Sequence, residues 1–449
     1  MSLSDRRWIA LLVLCAGMLM IILDVTIVNV ALPAIQAELG FTQSGLAWVV
    51  NAYLIPFGSL LLLAGRLGDL ISRRGVFVAG LIVFTAASAL CGVAGSQQML
   101  IAARFLQGVG GAATSAVILG MIVTMFPAPA EQARAIGVYS FVASAGGAVG
   151  LLLGGVLTSA VNWHWIFFVN VPVGVATVLA ARRLIPHDRG HGRGADVLGA
   201  ALITGALMAG VYAVVSGSSN KLGPGALAII LLGAFVVREA TAKSPLVPLR
   251  IFRSRTLTCA NLAQLTSAAG MFGMFFVGVL YCQHVLGYGA LRIGLAFLPV
   301  TVVMGALSLR YTEKLISSYG ARRLVIAGLA LVAGGLAWFA RVPADGSYAT
   351  DVLPSMLLLG LGGGLAFPAL AALAMSDATP EDAGLASGVF STTAEVGSAL
   401  GLAVLATLSA QGFRTSFVAA TVMVLVALGI AASISSTRTK AAERELVAA

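Results

Sequence analysis

The sequence predicts an all-α integral membrane protein. Two six-helix bundles are joined by a linker carrying two further transmembrane helices, fourteen spans in all. Three observations lead there. Of 449 residues, 59% are hydrophobic and 10% charged, with a mean hydropathy of +0.99. Soluble domains carry roughly 45–50% apolar and about 25% charged residues, so a cytosolic, nuclear or secreted globular protein is excluded. The apolar residues also form long continuous runs rich in Leu, Ala and Val, near the ~20 residues of one helical crossing. A membrane β-barrel would show ~10-residue alternating segments instead. Finally, basic residues cluster in every second loop.

In chain order the runs are 8–32, 46–64, 76–94, 100–121, 135–157, 165–181 and 197–215. They continue with 224–237, 257–281, 293–309, 324–340, 352–375, 385–409 and 417–434. The eighth is the shortest, so twelve or thirteen crossings stay open on length alone. Little chain remains between the runs, and no extramembrane domain is expected. The first run follows Arg6 and Arg7 as a secretory signal would, but it exceeds a signal's 7–15 apolar residues and contains Asp24, so it reads as an uncleaved first span.

Loops that retain Lys and Arg stay on the cytoplasmic side. With both termini inside, Arg6, Arg7, Arg66, Arg73, Arg74, Arg134, Arg182, Arg183, Arg189 and Arg193 fall there. So do Arg238, Lys243, Arg250, Arg253, Arg255, Arg310, Lys314, Arg322, Arg323, Arg438, Lys440 and Arg444. Lys221, Arg292, Arg341 and Arg414 fall outside, and Arg104 lies within a span. The net charge of +10 is thus a topology signal, and no nucleic-acid partner is expected. Cys15, Cys91, Cys259 and Cys282 sit in or beside apolar runs at spacings that suit neither zinc nor a disulfide framework. His187 and His191 are i, i+4 but in a loop, and no metal is expected.

The chain repeats itself. Residues 62–74 (LLAGRLGDLISRR) and 307–323 (LSLRYTEKLISSYGARR) each make a short basic turn after the second span of a half. Residues 104–116 (RFLQGVGGAATSA) and 357–369 (LLLGLGGGLAFPA) are each a glycine-packed helix. Repeated halves are a feature of secondary transporters, whose substrate site lies between the repeats near the bilayer midplane. Residues 182–196 (RRLIPHDRGHGRGAD) form a polar linker. The divisions expected are 1–181, an N-terminal six-helix bundle; 182–256, the linker with two added spans; and 257–449, a C-terminal bundle and tail.

Nearly all 17 acidic residues map to loops, tails or helix ends: Asp5, Glu38, Asp69, Glu131, Asp188, Asp196, Glu239, Glu313, Asp345, Asp351, Asp377, Glu381, Asp382, Glu443 and Glu445. Asp24 and Glu395, with Arg104, are left inside the apolar slab. A charge there costs at least ~2.5–3.5 kcal/mol, so each is a functional candidate. Withdrawing a carboxyl group from water favours its neutral form, and a nearby cation favours the ionised one. One such group can therefore exchange a proton for a cationic solute. An inward proton yields roughly 2.3 kcal/mol per 100 mV. Arg104, always charged, can pair with a carboxylate or orient an anion but cannot release the proton itself.

The motifs resemble those of the fourteen-span drug:proton antiporters of the major facilitator superfamily, the EmrB/QacA group. Residues 23–33 (Leu23-Asp24-Val25-Thr26-Ile27-Val28-Asn29-Val30-Ala31-Leu32-Pro33) fit that group's span-1 signature. Arg104, Gln107 and Gly108, followed by Gly110, Gly111 and Ala112, resemble the span-4 motif, whose arginine is linked to proton transfer. Gly65, Arg66, Asp69, Arg73 and Arg74 resemble a loop that latches the cytoplasmic ends of the two halves, with Leu70 and Ser72 departing from its pattern. Gly146, Gly150, Gly154 and Gly155 resemble the antiporter motif, with Leu151 in place of its usual proline. Residues 163–172 (WHWIFFVNVP) resemble a segment usual in the group, although alone they read as an interfacial aromatic anchor. Gly384, Ser387 and Gly388 leading to Glu395 and Gly397 resemble its span-13 signature.

The resemblance implies a major facilitator fold working by alternating access across a bacterial cytoplasmic membrane, driven by protons without a cofactor. It implies proton coupling through Asp24, Glu395 and Arg104 and export of hydrophobic, often cationic drugs. A monomer is expected. Polar and aromatic residues near the carboxylates are the substrate-binding candidates: Asn29, Trp48, Asn51, Tyr53, Gln107, Asn261, Gln264, Phe272, Phe275 and Thr392. Met271 and Met274 join Phe275 as an adaptable apolar wall. Two other readings stay open: a transporter dedicated to one metabolite, natural product or lipid, and a non-transporting sensor or scaffold. Nothing in the sequence has the pattern of a nucleotide loop, metal cluster or activated nucleophile, so no enzyme is expected.

Overall fold

The computed structural model describes residues 3–127, 129–186, 188, 196–215, 222–243, 245–341, 346–376 and 383–434. Among them the chain is helical, with no strand. The first half comprises α1 (Leu3–Leu39), α2 (Ala47–Leu70), α3 (Arg73–Gly92), α4 (Gln97–Met125), α5 (Pro129–Ala160), α6 (Trp165–Phe168) and α7 (Asn170–Leu184). Two helices, α8 (Val197–Val215) and α9 (Leu222–Thr241), follow. The second half comprises α10 (Arg255–His284), α11 (Ala290–Arg310), α12 (Thr312–Tyr319), α13 (Ala321–Phe339), α14 (Leu353–Met375), α15 (Ala383–Ser409) and α16 (Phe413–Ala432).

Thirteen helical segments among the described residues are long and apolar enough to cross a membrane. The remaining expected span falls in α5, whose described apolar stretch is Ala145–Ala160. Three readings of the sequence change. The shortest run extends into a 20-residue helix, α9, so length does not argue against a crossing there. The sixth run is broken at Val169 into α6 and α7. The basic turn at 307–323 contains the short helix α12.

Local chemistry sets the ends. Serine hydroxyls accept from the third residue onward at three helix starts: Ser72 from Gly75 (2.9 Å), Ser96 from Met99 (3.2 Å) and Ser254 from Leu257 (3.1 Å). Asp196 does the same for α8, accepting from the Gly199 N–H at 3.0 Å. Such caps satisfy donors that a helix start leaves open. Gly40 ends α1 with φ +68°, a conformation that favours glycine.

The two halves pair their helices by one plan. In the first, α3 packs on α4, α2 on α4, α1 on α5 and α3 on α7. In the second, α13 packs on α14, α11 on α14, α10 on α15 and α13 on α16. Between halves, α5 meets α11 as α15 meets α2. Glycines repeat the register: Gly80 of α3 faces Gly110 and Thr114 of α4 as Gly328 of α13 faces Gly362 and Ala366 of α14. Gly150 and Gly154 face Leu23 and Ile27 of α1 as Gly397 and Gly401 face Leu265 and Ala269 of α10. By that register Thr266 and Met356 occupy the places of Asp24 and Arg104.

The two added helices pack against each other, and α8 lies along both α2 and α15. The Ser59 and Thr204 hydroxyls are 2.8 Å apart, Trp48 packs on Tyr212, and Thr407 donates to the Val214 carbonyl at 3.3 Å. Glu239, expected in a loop, is in the last turn of α9. It is buried and accepts from the Val247 N–H at 2.8 Å.

Candidate functional site

Asp24 of α1 lies inside the first bundle and is fully buried, as is Arg104 of α4. The Arg104 Nη1 donates to Asp24 Oδ2 at 2.5 Å and to Gln107 Oε1 at 2.7 Å. Gln107 Nε2 donates to Asp24 Oδ1 at 2.6 Å, and Asn170 Nδ2 reaches the same oxygen at 3.2 Å. Ser88 of α3 accepts from Gln107 and Asn170 and donates to the Phe167 carbonyl. Arg104 Nε donates to the Val49 carbonyl at 2.9 Å, and its guanidinium carbon sits 4.5 Å from the centre of the Tyr53 ring. Both Asp24 oxygens and the Arg104 Nε and Nη1 are hydrogen-bonded, the kind of compensation under which charges are tolerated away from water.

Glu395 of α15 is differently placed. It is half-buried and lines a central cavity of about 390 Å³ between the halves. The cavity's polar wall includes Thr26, Asn29, Gln264 and Ser398, and its apolar wall includes Met271, Phe272, Phe275, Met304 and Phe367. Among the described residues Glu395 is the one charged side chain on that wall. Its carboxylate has no hydrogen-bond or ion-pair partner there. Beyond the cavity α5 and α11 touch: a Cβ on Gly155 would come within 2.8 Å of Leu291, and one on Gly294 within 2.5 Å of the Leu151 carbonyl. A second cavity of about 740 Å³ opens toward the arginine-rich end, lined by Arg66, Asp69, Arg73, Asp196, Ser387 and Glu395. Glu395 therefore stands at the junction of both.

The structure separates residues that the sequence grouped together. Asn29, Gln264, Phe272 and Phe275 lie on the central wall. Trp48, Asn51, Tyr53, Gln107, Asn261 and Thr392 do not, because their faces of α2, α4, α10 and α15 are packed against neighbouring helices. Met274 is likewise buried away from the wall. Asn51 is fully buried with both side-chain polar atoms unpaired, and the Tyr53 hydroxyl and Thr392 Oγ1 are also unpaired.

The latch residues bond inside the first half. Arg73 pairs with Asp69 at 2.9 Å and donates to the Gly120 carbonyl and the Thr124 hydroxyl of α4. Arg74 donates to the Arg182 carbonyl. Gly65 lines the wide cavity between this cluster and α15. Asp188 accepts from Ser72 Oγ (2.7 Å) and from the N–H groups of Arg73 and Arg74. Partial burial works to raise the Asp188 carboxyl, but these hydrogen bonds outweigh it and hold it below its ordinary range.

Of the antiporter-motif glycines, Gly146, Gly150 and Gly154 face α1, while Gly155 faces α11. A methyl group on Gly150 would overlap the Thr26 hydroxyl. Leu151 packs inside an unbroken helix and lines the cavity.

Sequence reasoning missed Asn170 and Ser88. Trp163, Phe167 and Asn170, spaced i, i+4, i+7, are all buried. Trp163 is buried and donates to Glu38 at 2.8 Å, whereas Trp165 of the same segment is exposed. That helical spacing was the available signal for Asn170, and Ser88 had none. His187, His191, Arg189, Arg193, Lys221, Asp345, Asp377, Glu381, Asp382, Arg438, Lys440, Glu443, Arg444 and Glu445 lie outside the described residues.

Two six-helix bundles related by a repeat, with an amphipathic cavity between them, define a polytopic membrane transporter. The chain belongs to the Major Facilitator Superfamily, whose family model matches residues 14–402. It is 39% identical over 413 residues to the cephamycin export protein CmcT of Amycolatopsis lactamdurans, covering 90% of this chain and 85% of the relative. It is 37% identical over 415 residues to a puromycin resistance protein of Streptomyces alboniger, covering 90% and 82%. Among solved structures it is similar to an auto-inhibited peptide transporter of the POT family, at TM-score 0.73, 15% identity, and 95% and 97% coverage. A nucleoside transporter, NupG, gives 0.69, 13%, and 95% and 99%. At these identities the likeness is one of fold.

Proposed function

We propose that this protein exports hydrophobic, often cationic compounds, antibiotics among them, in exchange for protons. The reading places it in the cytoplasmic membrane with both termini inside and requires no cofactor. One observation carries it: among the described residues Glu395 is the charged group on the wall of a cavity otherwise built of apolar and uncharged polar side chains. A carboxylate there attracts a cation strongly because little water screens it. With the cation gone, the same group is better off protonated. Proton and cargo then exclude each other, and the α5–α11 contact opens only as the arginine-rich end closes. The names of the relatives support antibiotic export. Because those names each specify one compound, they also support a second reading, a pump for a single natural product.

The test is uptake of tetraphenylphosphonium or ethidium into proteoliposomes carrying a pH gradient, with proton flux recorded in parallel. Wild type is expected to move the two in opposite directions, and Glu395→Gln to lose at least about tenfold of cation transport. Unchanged exchange in Glu395→Gln overturns the reading. One tight natural-product substrate with no dye transport selects the second.

A further inference from the structure

Tyr53 stands on α2 between buried Asp24 and cavity-lining Glu395 and belongs to neither site. It is fully buried, and its hydroxyl has no hydrogen-bond partner. One face of its ring carries the Arg104 guanidinium at 4.5 Å, and Phe57 stacks on it with centroids 5.5 Å apart. The hydroxyl points at α4, where a Cβ on Gly111 would come within 2.9 Å of it. One residue after Phe57, Gly58 lies directly against Glu395, 2.5 Å from its Cβ to a Cβ built on the glycine.

A buried hydroxyl left unpaired is unfavourable, and such groups find a partner in another state of the protein or in internal water. Asn51, two residues earlier on α2, leaves a buried amide equally unsatisfied. The ring also holds Arg104 by a cation–π contact, so any weakening of the Asp24–Arg104 pair bears first on Tyr53.

We propose that Tyr53 is the positioning residue that couples the Asp24–Arg104 pair to Glu395. Its ring keeps the guanidinium on Asp24, and its hydroxyl becomes hydrogen-bonded when that pair loosens, carrying the change along α2 to the seam with α15. This rests on the exchange of proton and cation at Glu395. The other titratable groups facing the junction at Glu395 are Arg66, Asp69 and Arg73, Asp196 before α8, and Tyr139 of α5.

The test uses purified full-length protein in nanodiscs and tetraphenylphosphonium binding measured from pH 5.5 to 8.5. Asp24→Asn is expected to change the affinity about five- to tenfold, a usual size for coupling between sites, and to move the pH midpoint. In a Tyr53→Phe background, which keeps the ring and deletes the hydroxyl, the same Asp24→Asn change is expected to fall below about twofold. Gly111→Ala, which presses on the hydroxyl from α4, is expected to act in the same direction. A full Asp24→Asn effect in both backgrounds, or no effect in the wild-type background, overturns the coupling role. Loss of that role with cation binding still abolished by Glu395→Gln leaves the exchange reading standing. Cation binding unaffected by Glu395→Gln fails that reading instead.

Discussion

Replacing Arg104 by methionine is the sharpest perturbation of the first bundle. Asp24 and Arg104 are 0% and 1% exposed, so the carboxylate left behind has no route to water. It would keep its hydrogen bonds from Gln107 and Asn170 but lose its counter-charge. Breaking a buried pair by removing one partner costs about 3–5 kcal/mol, a factor of roughly 150 to 5000 in the folded-to-unfolded ratio at 1.36 kcal/mol per tenfold. Methionine is the residue that the second half places at the equivalent position, Met356, with Thr266 at the position equivalent to Asp24. The double variant Asp24→Thr, Arg104→Met therefore installs a combination that this fold already packs. Replacing both charges is often neutral or stabilising. Unfolding by sodium dodecyl sulfate in mixed micelles, read by tryptophan fluorescence, should show the single variant losing about 3–5 kcal/mol and the double recovering at least half. Transport should remain lost in both. A single variant within about 1 kcal/mol of wild type, or a double variant no more stable than the single, would refute the view that the pair is held by mutual charge compensation.

Two further outcomes follow from the packing and the loops. Gly150→Ala forces a methyl group onto the Thr26 hydroxyl and should cost about 1–3 kcal/mol in the same unfolding assay; the added change Thr26→Ala should restore most of it, and a lack of rescue would count against the clash. Asp188, held ionised by Ser72 and two backbone N–H groups, contributes stability above its ordinary titration range that is lost as pH falls through its lowered pKa. Asp188→Asn should therefore lower the thermal midpoint at pH 7, and the gap to wild type should close below pH ~4; a gap that stayed constant with pH would rule the carboxylate out as its source.

Fold and topology were legible because each crossing must satisfy its backbone internally and so appears as a long apolar run. The lone intramembrane charges were legible for the same reason: they are conspicuous where each one is costly. What the sequence could not reveal is that Asp24 and Glu395 occupy different environments. Both sit on apolar helices with small neighbours, and only the packing of α1 against α4 and α7 encloses one while the cavity between the halves exposes the other. Asn170 shares its helical spacing with buried Trp163 and Phe167, but nothing in that spacing says that the face meets Asp24. Of the aromatic and polar candidates on α2, Trp48 packs on Tyr212 of an added helix and Tyr53 packs under Arg104, contacts that no local pattern encodes. Asn29 and Gln264 reach the cavity because each lies on the face of its helix turned toward the other half.

The placement of α8 has a mechanical consequence. Because it is fastened to α2 by Ser59 and Thr204 and to α15 by Thr407, it ties the two bundles together along one flank, whereas α5 and α11 close the opposite flank by touching directly. A body tied on one side swings about that side. The rocking of the halves should then be a door-like rotation about the α2–α8–α15 edge, with the widest travel, and any sideways leak of a greasy passenger into the bilayer, at the α5–α11 edge.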